Sequence, residues 1–409
     1  MGGSQLMSSE QLIATEVAPQ EETSRNELAI VIPCLNEAET LGLCLEKAHR
    51  FLRAYDVKGE VIVADNGSTD GSQEIARAAG ARVVDVEQRG YGAALRAGIA
   101  AADTPFVAMA DGDDSYDFMG LMPFVERLRE GHDLVMGNRF MGGIGKGAMP
   151  RLHRWIGNPA LSAAGRMFYG APIGDFHCGM RAFNRAAILD LGLSSSGMEF
   201  ASEMVVKAHL AGLRMTEVPT TLSPDGRSRA PHLRSFRDGW RHLKFLLLFA
   251  PRWLYLYPGL ALLSVGLLAM LAMLPGPLVL GEIRLAENSL LFSGAAVLLG
   301  LQIVSFGLLA ELFGARERYW LDSGRIRFLR TWVTVDRACI LGGGLFLLGV
   351  VGGAYAVFLW YGEEFGNMDT DALARITIPS MLACAAGLQI AFTGFLAELI
   401  GHPQRGGRS

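Results

Sequence analysis

The chain has 409 residues, half of them hydrophobic, with 37 Lys and Arg against 41 Asp and Glu for a net charge of −4. That length allows two or three domains, and the charge balance gives no reason to expect a nucleic-acid partner. Five cysteines, Cys34, Cys44, Cys178, Cys339 and Cys384, lack CxxC spacing, which argues against a disulfide framework or zinc site and for free thiols in a reducing compartment.

Residues 1–27 are rich in Ser, Gln and Glu and lack a basic-then-apolar signal pattern, so a disordered tail is expected. Residues 28–33 (LAIVIP) form an apolar strand, and a helix starts at Asn36-Glu37 with Leu41, Leu45, Ala48 and Leu52 on one face. A second strand over 60–65 ends in Asn66-Gly-Ser-Thr-Asp-Gly71, a turn followed by a helix start. A third strand covers 81–86, Gly90-Tyr-Gly92 leads into a small-residue helix over 93–102, and further strands cover 106–110 and 133–137. Alternating strands and helices predict an α/β domain, a parallel or mixed sheet with helices on both faces.

Polar residues collect at the strand ends: Glu37, Asp65, Asp111, Asp113 and Arg139. In a doubly wound sheet these ends share one rim, where such folds bind ligands. The stretch Val107-Ala-Met-Ala-Asp-Gly-Asp-Asp-Ser-Tyr-Asp-Phe118 turns from apolar strand to carboxylates within four residues. Asp111 and Asp113 can share one hard cation, Mg²⁺ or Mn²⁺, which fills its other positions with phosphate oxygens. With Gly-rich turns beside it, this rim suits a nucleotide diphosphate. Blander readings remain at single residues: a solvated acidic turn, helix caps at Glu37 and Asp70, and ordinary turn glycines at Gly90 and Gly92.

Pro33-Cys-Leu-Asn-Glu37, Asp65-Asn-Gly-Ser-Thr-Asp70, Gly90-Tyr-Gly-Ala-Ala-Leu-Arg-Ala-Gly98 and Asp111-Gly-Asp113 together resemble family 2 glycosyltransferases of the GT-A (Rossmann-like) fold. Gly137-Asn-Arg-Phe140, Gly174-Asp-Phe-His-Cys-Gly-Met-Arg-Ala-Phe183 and Gly197-Met-Glu-Phe-Ala-Ser-Glu-Met-Val-Val-Lys207 are similar to polyprenyl-phosphate hexosyltransferases, among them dolichyl-phosphate mannose synthases and dolichyl- or undecaprenyl-phosphate glucose synthases. The resemblance covers roughly 28–250. It implies that Asp65 binds the nucleotide base, Pro33 and Glu37 line the base and ribose, and Asp111 and Asp113 hold the metal. It also implies that Gly90 and Gly92 belong to the donor site, Arg139 binds a phosphate, and Asp175 and Glu203 face the sugar or reaction centre. Where the mannose synthases carry a Gln two residues after the second Asp, this chain has Ser115; a third metal ligand is left open between Asp114 and Asp117.

The implied donor is a nucleotide sugar, UDP-glucose or GDP-mannose with glucose favoured, and the implied acceptor a polyprenyl phosphate. A lipid phosphate is already anionic and needs positioning by cations more than a base; Arg139, Arg151 and Arg154 are candidates. Single displacement would invert the anomeric centre. A diacylglycerol hydroxyl would instead need a base, Asp175 first. The non-enzymatic alternative is a membrane scaffold with an inactive transferase domain.

Two stretches suit a membrane surface. Residues 151–169 mix Arg with Trp and Leu, and residues 227–252 place Phe236, Trp240, Leu243 and Leu247 on one helical face, with Arg234, Arg237, Arg241 and Lys244 elsewhere. The alternative for the second is a surface helix packed on the domain. Four apolar runs follow near 254–274, 289–312, 338–361 and 377–400, each about the ~20 residues that cross a bilayer. The loop over 314–337 carries Arg316, Arg318, Arg325, Arg327, Arg330 and Arg337, whereas the loop over 361–375 is acidic. That places the soluble domain and both termini in the cytoplasm of an integral protein of the cytoplasmic membrane.

The expected layout is a tail (1–27), a GT-A domain (28–226), a juxtamembrane helix (227–252), a four-span membrane domain (253–401) and a cytoplasmic tail (402–409). Residues 300–314 repeat at 387–401, so the second and fourth spans read as copies and the four spans as two repeated pairs of helices. Gln302 and Gln389 fall inside those spans, as helix-packing groups or as a lipid-receiving surface. A homo-oligomer is compatible with the sequence, which leaves the oligomeric state open.

Overall fold

The computed structural model describes residues 26–228, 235–317, 319, 324–366 and 369–401. The expected tails over 1–25 and 402–409, and Arg234 and Arg318, lie outside the described residues.

The first half is a seven-stranded mixed sheet. In chain order its elements are β1 (Leu28–Cys34), α1 (Leu41–Ala54), β2 (Gly59–Asp65), α2 (Ser72–Ala78), β3 (Arg82–Asp85), α3 (Tyr91–Ala101), β4 (Phe106–Met109), α4 (Met122–Arg129), β5 (Leu134–Asn138), α5 (Arg139–Gly142), α6 (Asn158–Tyr169), β6 (Arg181–Asn184), α7 (Arg185–Asp190), α8 (Phe200–Leu210) and β7 (Met215–Pro219). The strand order is β3-β2-β1-β4-β6-β5-β7. All neighbours are parallel except at β6, which runs antiparallel to β4 and β5. Two strands, β6 and β7, were not anticipated. Both are short, and β6 sits inside a polar motif that shows no alternation.

β1 shows why the sheet is buried on both sides. Successive side chains face opposite ways. Leu28, Ile30 and Ile32 pack with Leu41, Leu45, Phe51 and Phe124 of α1 and α4. Ala29 and Val31 pack with Leu95, Ile99, Met204 and Val205 of α3 and α8. Near-continuous apolar strands are what two helical layers require.

Helix α9 (Ser235–Leu248) leaves the sheet domain. It starts later than the expected 227, and Arg227 and Ser228 lie on the sheet rim instead. α9 docks on the domain by an unexpected face: Leu246 is fully buried, Phe245 and Phe249 pack beside it, and the Tyr169 hydroxyl donates to the Leu246 carbonyl. Of the stripe expected to meet lipid, Trp240 stays 60% exposed, and Leu243 and Leu247 are half-buried.

Four long apolar helices follow: α10 (Tyr257–Met273), α11 (Glu287–Arg316), α13 (Val335–Gly362) and α14 (Thr370–Gly401), with a short α12 (Gly324–Trp332) before α13. With the turn over Arg252–Leu256 that precedes α10 included in the first, spans of 22, 30, 28 and 32 residues are long enough to cross a bilayer. A small hairpin, β8 (Leu278–Leu280) with β9 (Ile283–Leu285), joins the first two.

The repeat is larger than the sequence match suggested. A methyl group on Gly300 would lie 2.4 Å from Leu263 N, and one on Gly387 would lie 2.6 Å from Phe346 N. Gly266 meets Ser293 O as Gly349 meets Ser380 O, and Gly259 meets Val304 N as Gly342 meets Ala391 N. The two hairpins α10–α11 and α13–α14 therefore use the same glycine contacts, first helix included. The preceding helices match too: His242-Leu-Lys-Phe-Leu246 of α9 corresponds to Arg325-Ile-Arg-Phe-Leu329 of α12. The unit is the expected pair of spans plus the short helix before it.

Candidate active site

Parallel pairing of β1, β2 and β4 brings their carboxyl ends to one edge; Cys34 stands opposite Asp65 in register. Glu37, Asp65, Asp111 and Asp113 collect there, as expected. Pro33 closes β1 beneath them: a methyl on Gly112 would lie 3.5 Å from Pro33 O and 3.8 Å from Glu37 Cγ. The Thr40 hydroxyl ties this corner by donating to Gly112 O at 2.7 Å.

Asp65 is 1% exposed. Its Oδ2 accepts from Gly67 N (3.1 Å), Ser68 N (3.0 Å) and Gln73 Nε2 (2.7 Å). Burial pushes this carboxyl up, but hydrogen bonds led by Ser68 and Gln73 outweigh it and leave it below the usual range. Its Oδ1 is buried without a hydrogen-bond partner. Asp70, by contrast, is structural: it accepts from Ser72 N, Ser72 Oγ and Ala38 N, clamping the turn after β1 to α2. The Glu37 carboxylate pairs with Arg227 at 3.0 Å.

Asp111 Oδ1 accepts from the Tyr91 hydroxyl at 2.9 Å, and a methyl on Gly179 would lie 2.4 Å from Asp111 Oδ2. Burial and the neighbouring Asp113 push Asp111 up to about 7, against the pull of Tyr91, Arg227 and Arg139. Asp113 Oδ1 accepts from Ser115 N (3.1 Å) and Ser115 Oγ (2.5 Å). Ser115 thus orients the second carboxylate. Neither candidate third ligand joins them. Asp114 is turned away to Lys47 at 2.7 Å, and Asp117 accepts from Met119 N at the start of the next helical turn. Among the described residues no group of three or more His, Cys, Asp or Glu forms a metal cage. Two adjacent carboxylates, one under-compensated in charge, fit Mg²⁺ or Mn²⁺ completed by phosphate and water rather than an all-protein site.

Arg227 was not anticipated at this rim. It reaches Asp113 Oδ2 and Glu37 Oε1, each at 3.0 Å, and is held from behind by Asp225. Nothing local marks it; only the chain's return from β7 past the rim brings it there, with Gly226 N donating to Asp113 O.

Arg139 and Asp175 form a buried ion pair. Arg139 Nε and Nη2 bind the two carboxylate oxygens at 2.7 and 2.8 Å, with Asp175 0% exposed. Glu217 of β7, also missed, accepts from Gly174 N, Asp175 N and Asn138 Nδ2 and fixes this loop.

Three groups of expected site residues have other partners in the fold. Glu203 does not face the rim; it is buried and accepts from Ser194 N, Ser195 N and Lys207 Nζ, holding the loop before α8. Gly90 and Gly92 admit that loop: a methyl on Gly90 would lie 2.1 Å from Ser196 O and one on Gly92 2.4 Å from Ser195 O. The free amide of Ala93, at the start of α3, is taken by Ser196 O. Arg154 lies over the Trp155 ring, 5.4 Å from its centroid, and Trp155 is 72% exposed.

Residues 29–192 match Glycosyl transferase family 2, and residues 308–401 match the Glycosyltransferase family 2 C-terminal transmembrane region. The low-salt glycan biosynthesis hexosyltransferase Agl6 of Haloferax volcanii is 35% identical over 380 residues, covering 92% of this chain and 89% of its own. A dolichyl-phosphate hexose transferase of the same organism is 36% identical over 196 residues, 47% of this chain and 82% of its own. The undecaprenyl-phosphate 4-deoxy-4-formamido-L-arabinose transferase of Proteus mirabilis is 26% identical over 318 residues, 73% of this chain and 93% of its own. With a carboxylate rim on a mixed GT-A sheet and four apolar helices behind it, the chain belongs to glycosyltransferase family 2, as a glycosyltransferase integral to a membrane.

Proposed function

We propose that the protein transfers a hexose, with inversion, from a nucleotide sugar to a polyprenyl phosphate on the cytoplasmic face of the membrane. The names of its relatives support the acceptor class, and the arginines around α12 support the cytoplasmic placing of that end of the spans.

The observation that carries the donor reading is Asp65 Oδ1, a buried acceptor without a partner at the carboxylate rim. Leaving such a group unmatched costs about 1–3 kcal/mol, so a ligand donor is expected there. The other oxygen already takes three donors. One oxygen suits the single imide N–H of uracil better than the paired donors of guanine. This favours UDP-glucose over GDP-mannose.

Asp111 and Asp113 would hold Mg²⁺ or Mn²⁺; when bound, such an ion neutralises charge on the departing diphosphate. Arg227 is placed to bind a diphosphate oxygen once displaced from Asp113. Arg139 has Nη1 outside its pair with Asp175, a donor for an acceptor phosphate. Both Asp175 oxygens are occupied by Arg139, so Asp175 is not free to deprotonate a hydroxyl. An anionic phosphate nucleophile needs no such base, which disfavours diacylglycerol.

Purified protein in nanodiscs, given labelled UDP-glucose or GDP-mannose, Mg²⁺ or Mn²⁺ and a polyprenyl phosphate, tests the reading. Label from UDP-glucose should enter a mild-acid-labile lipid with inverted anomeric configuration. Undiminished transfer after chelation, or a product that retains configuration, would overturn it.

A further inference from the structure

The loop over 174–179, which carries Asp175 and backs Asp111 with Gly179, also carries His177. Ser202 of α8 sits fully buried beside it, with Oγ 3.2 Å from His177 Nε2. The same oxygen lies 2.8 Å from Nδ1 of His242, a residue of α9 that is only 8% exposed. The two imidazoles meet edge to face, centroids 4.5 Å apart. One hydroxyl thus joins the rim loop to the helix that enters the membrane.

The chain of bonds has a direction. Burial, His242, Arg139 and Arg181 together hold His177 well below its usual pKa, so its ring is neutral. A hydroxyl has one proton and donates it to one ring only; the other ring must donate to the hydroxyl oxygen. The tautomer of His242 therefore sets whether His177 Nε2 accepts or donates. That in turn sets the state of His177 Nδ1, which is buried without a partner. The corresponding position in the second copy of the short helix is Arg325, so the histidine belongs to the copy that docks on the sheet domain.

We propose that His242 and Ser202 are positioning residues for the transfer reaction: through His177 they fix the 174–179 loop to the seat of α9, so that loop geometry follows how the helix sits at the membrane. This rests on the transferase reading above. It assigns no contact between His242 and substrate.

The test uses the full chain in nanodiscs. His242→Phe keeps a ring but removes the bond, and His242→Asn restores a polar atom near Nδ1. His242→Phe is expected to lower kcat about tenfold, the scale of one buried hydrogen bond, with the donor KM within about twofold. His242→Asn should recover most of that loss. Ser202→Ala should match His242→Phe, and the double variant should lose no more, as members of one chain do. Hydrogen exchange of residues 174–179 should rise in His242→Phe and fall back in His242→Asn. Unchanged exchange in His242→Phe, or equal impairment in Phe and Asn variants, would overturn the proposal. Because exchange needs no turnover, it decides the matter even if the wild-type protein transfers no hexose.

Discussion

The sheet domain and the membrane domain are held by opposite means. In the first, specificity comes from polar groups placed at strand ends: the Arg139–Asp175 pair, the Glu217 clamp and Arg227 bridging Glu37 and Asp113. In the second, the helices approach through glycines, eight of which among the described residues would place a methyl group within 3 Å of a neighbouring helix. Water is the alternative partner for the polar groups of the first, and lipid offers none to the second, so close backbone packing replaces hydrophobic burial there. Function accordingly sits where charge is concentrated. The membrane half supplies a duplicated scaffold.

The largest effect should come from separating chemistry from folding within the sheet domain. Asp113→Asn preserves shape and the Ser115 contact but removes the charge; transfer should fall roughly 10²–10³-fold. Thermal unfolding should hardly move, and a variant that unfolds early would make Asp113 structural. Asp175→Ala does the reverse. It strands the buried guanidinium of Arg139, and one-sided loss of a buried pair costs about 3–5 kcal/mol. Replacing both partners by apolar residues should recover much of that stability while activity stays lost. Recovery of activity in the double variant would remove the pair from the site.

The five strands at 28–33, 60–65, 81–86, 106–110 and 133–137 were legible because apolar runs between turn residues have few other uses. Asp111 and Asp113 were legible because they end such a strand. What could not be read was long-range. Arg227 meets Glu37 across 190 positions of chain and Glu217 meets Asn138 across 79; neither has a local signature. Glu203 misled because a buried carboxylate that ties a loop carries the same letter as one that binds a ligand. The repeat was read from the second and fourth spans, where letters persist, and its unit taken as a pair of helices; the short helix before each pair was missed, because few of its letters persist.

The duplication gives a smaller and more even set of effects. Gly300→Val and Gly387→Val place side chains against the backbones of Leu263 and Phe346 in the two hairpins. Overpacking of this kind costs about 1–3 kcal/mol, and thermal unfolding in nanodiscs should show near-equal losses. A harmless Gly387→Val beside a harmful Gly300→Val would mean that only the hairpin next to the catalytic domain is tightly built.

The smallest effect contrasts a surface pair with the buried one. Arg129 binds Glu27 through two bonds of 2.7 Å each, but Arg129 is 45% exposed. Pairing with Arg129 holds Glu27 below the usual carboxylate range. The group's folded pKa is depressed, so its contribution is present above the unfolded value and fades as pH falls through the folded one. Solvent screening limits such a pair to about 0–1 kcal/mol. Glu27→Gln should therefore shift unfolding slightly at pH 7 and not at all at acid pH, and 1 M salt should erase the difference. The Asp175→Ala loss should survive the same salt, because screening ions do not reach a carboxylate that is 0% exposed. If both losses vanished together in salt, the buried pair would have no claim to a different energetic class from the exposed one.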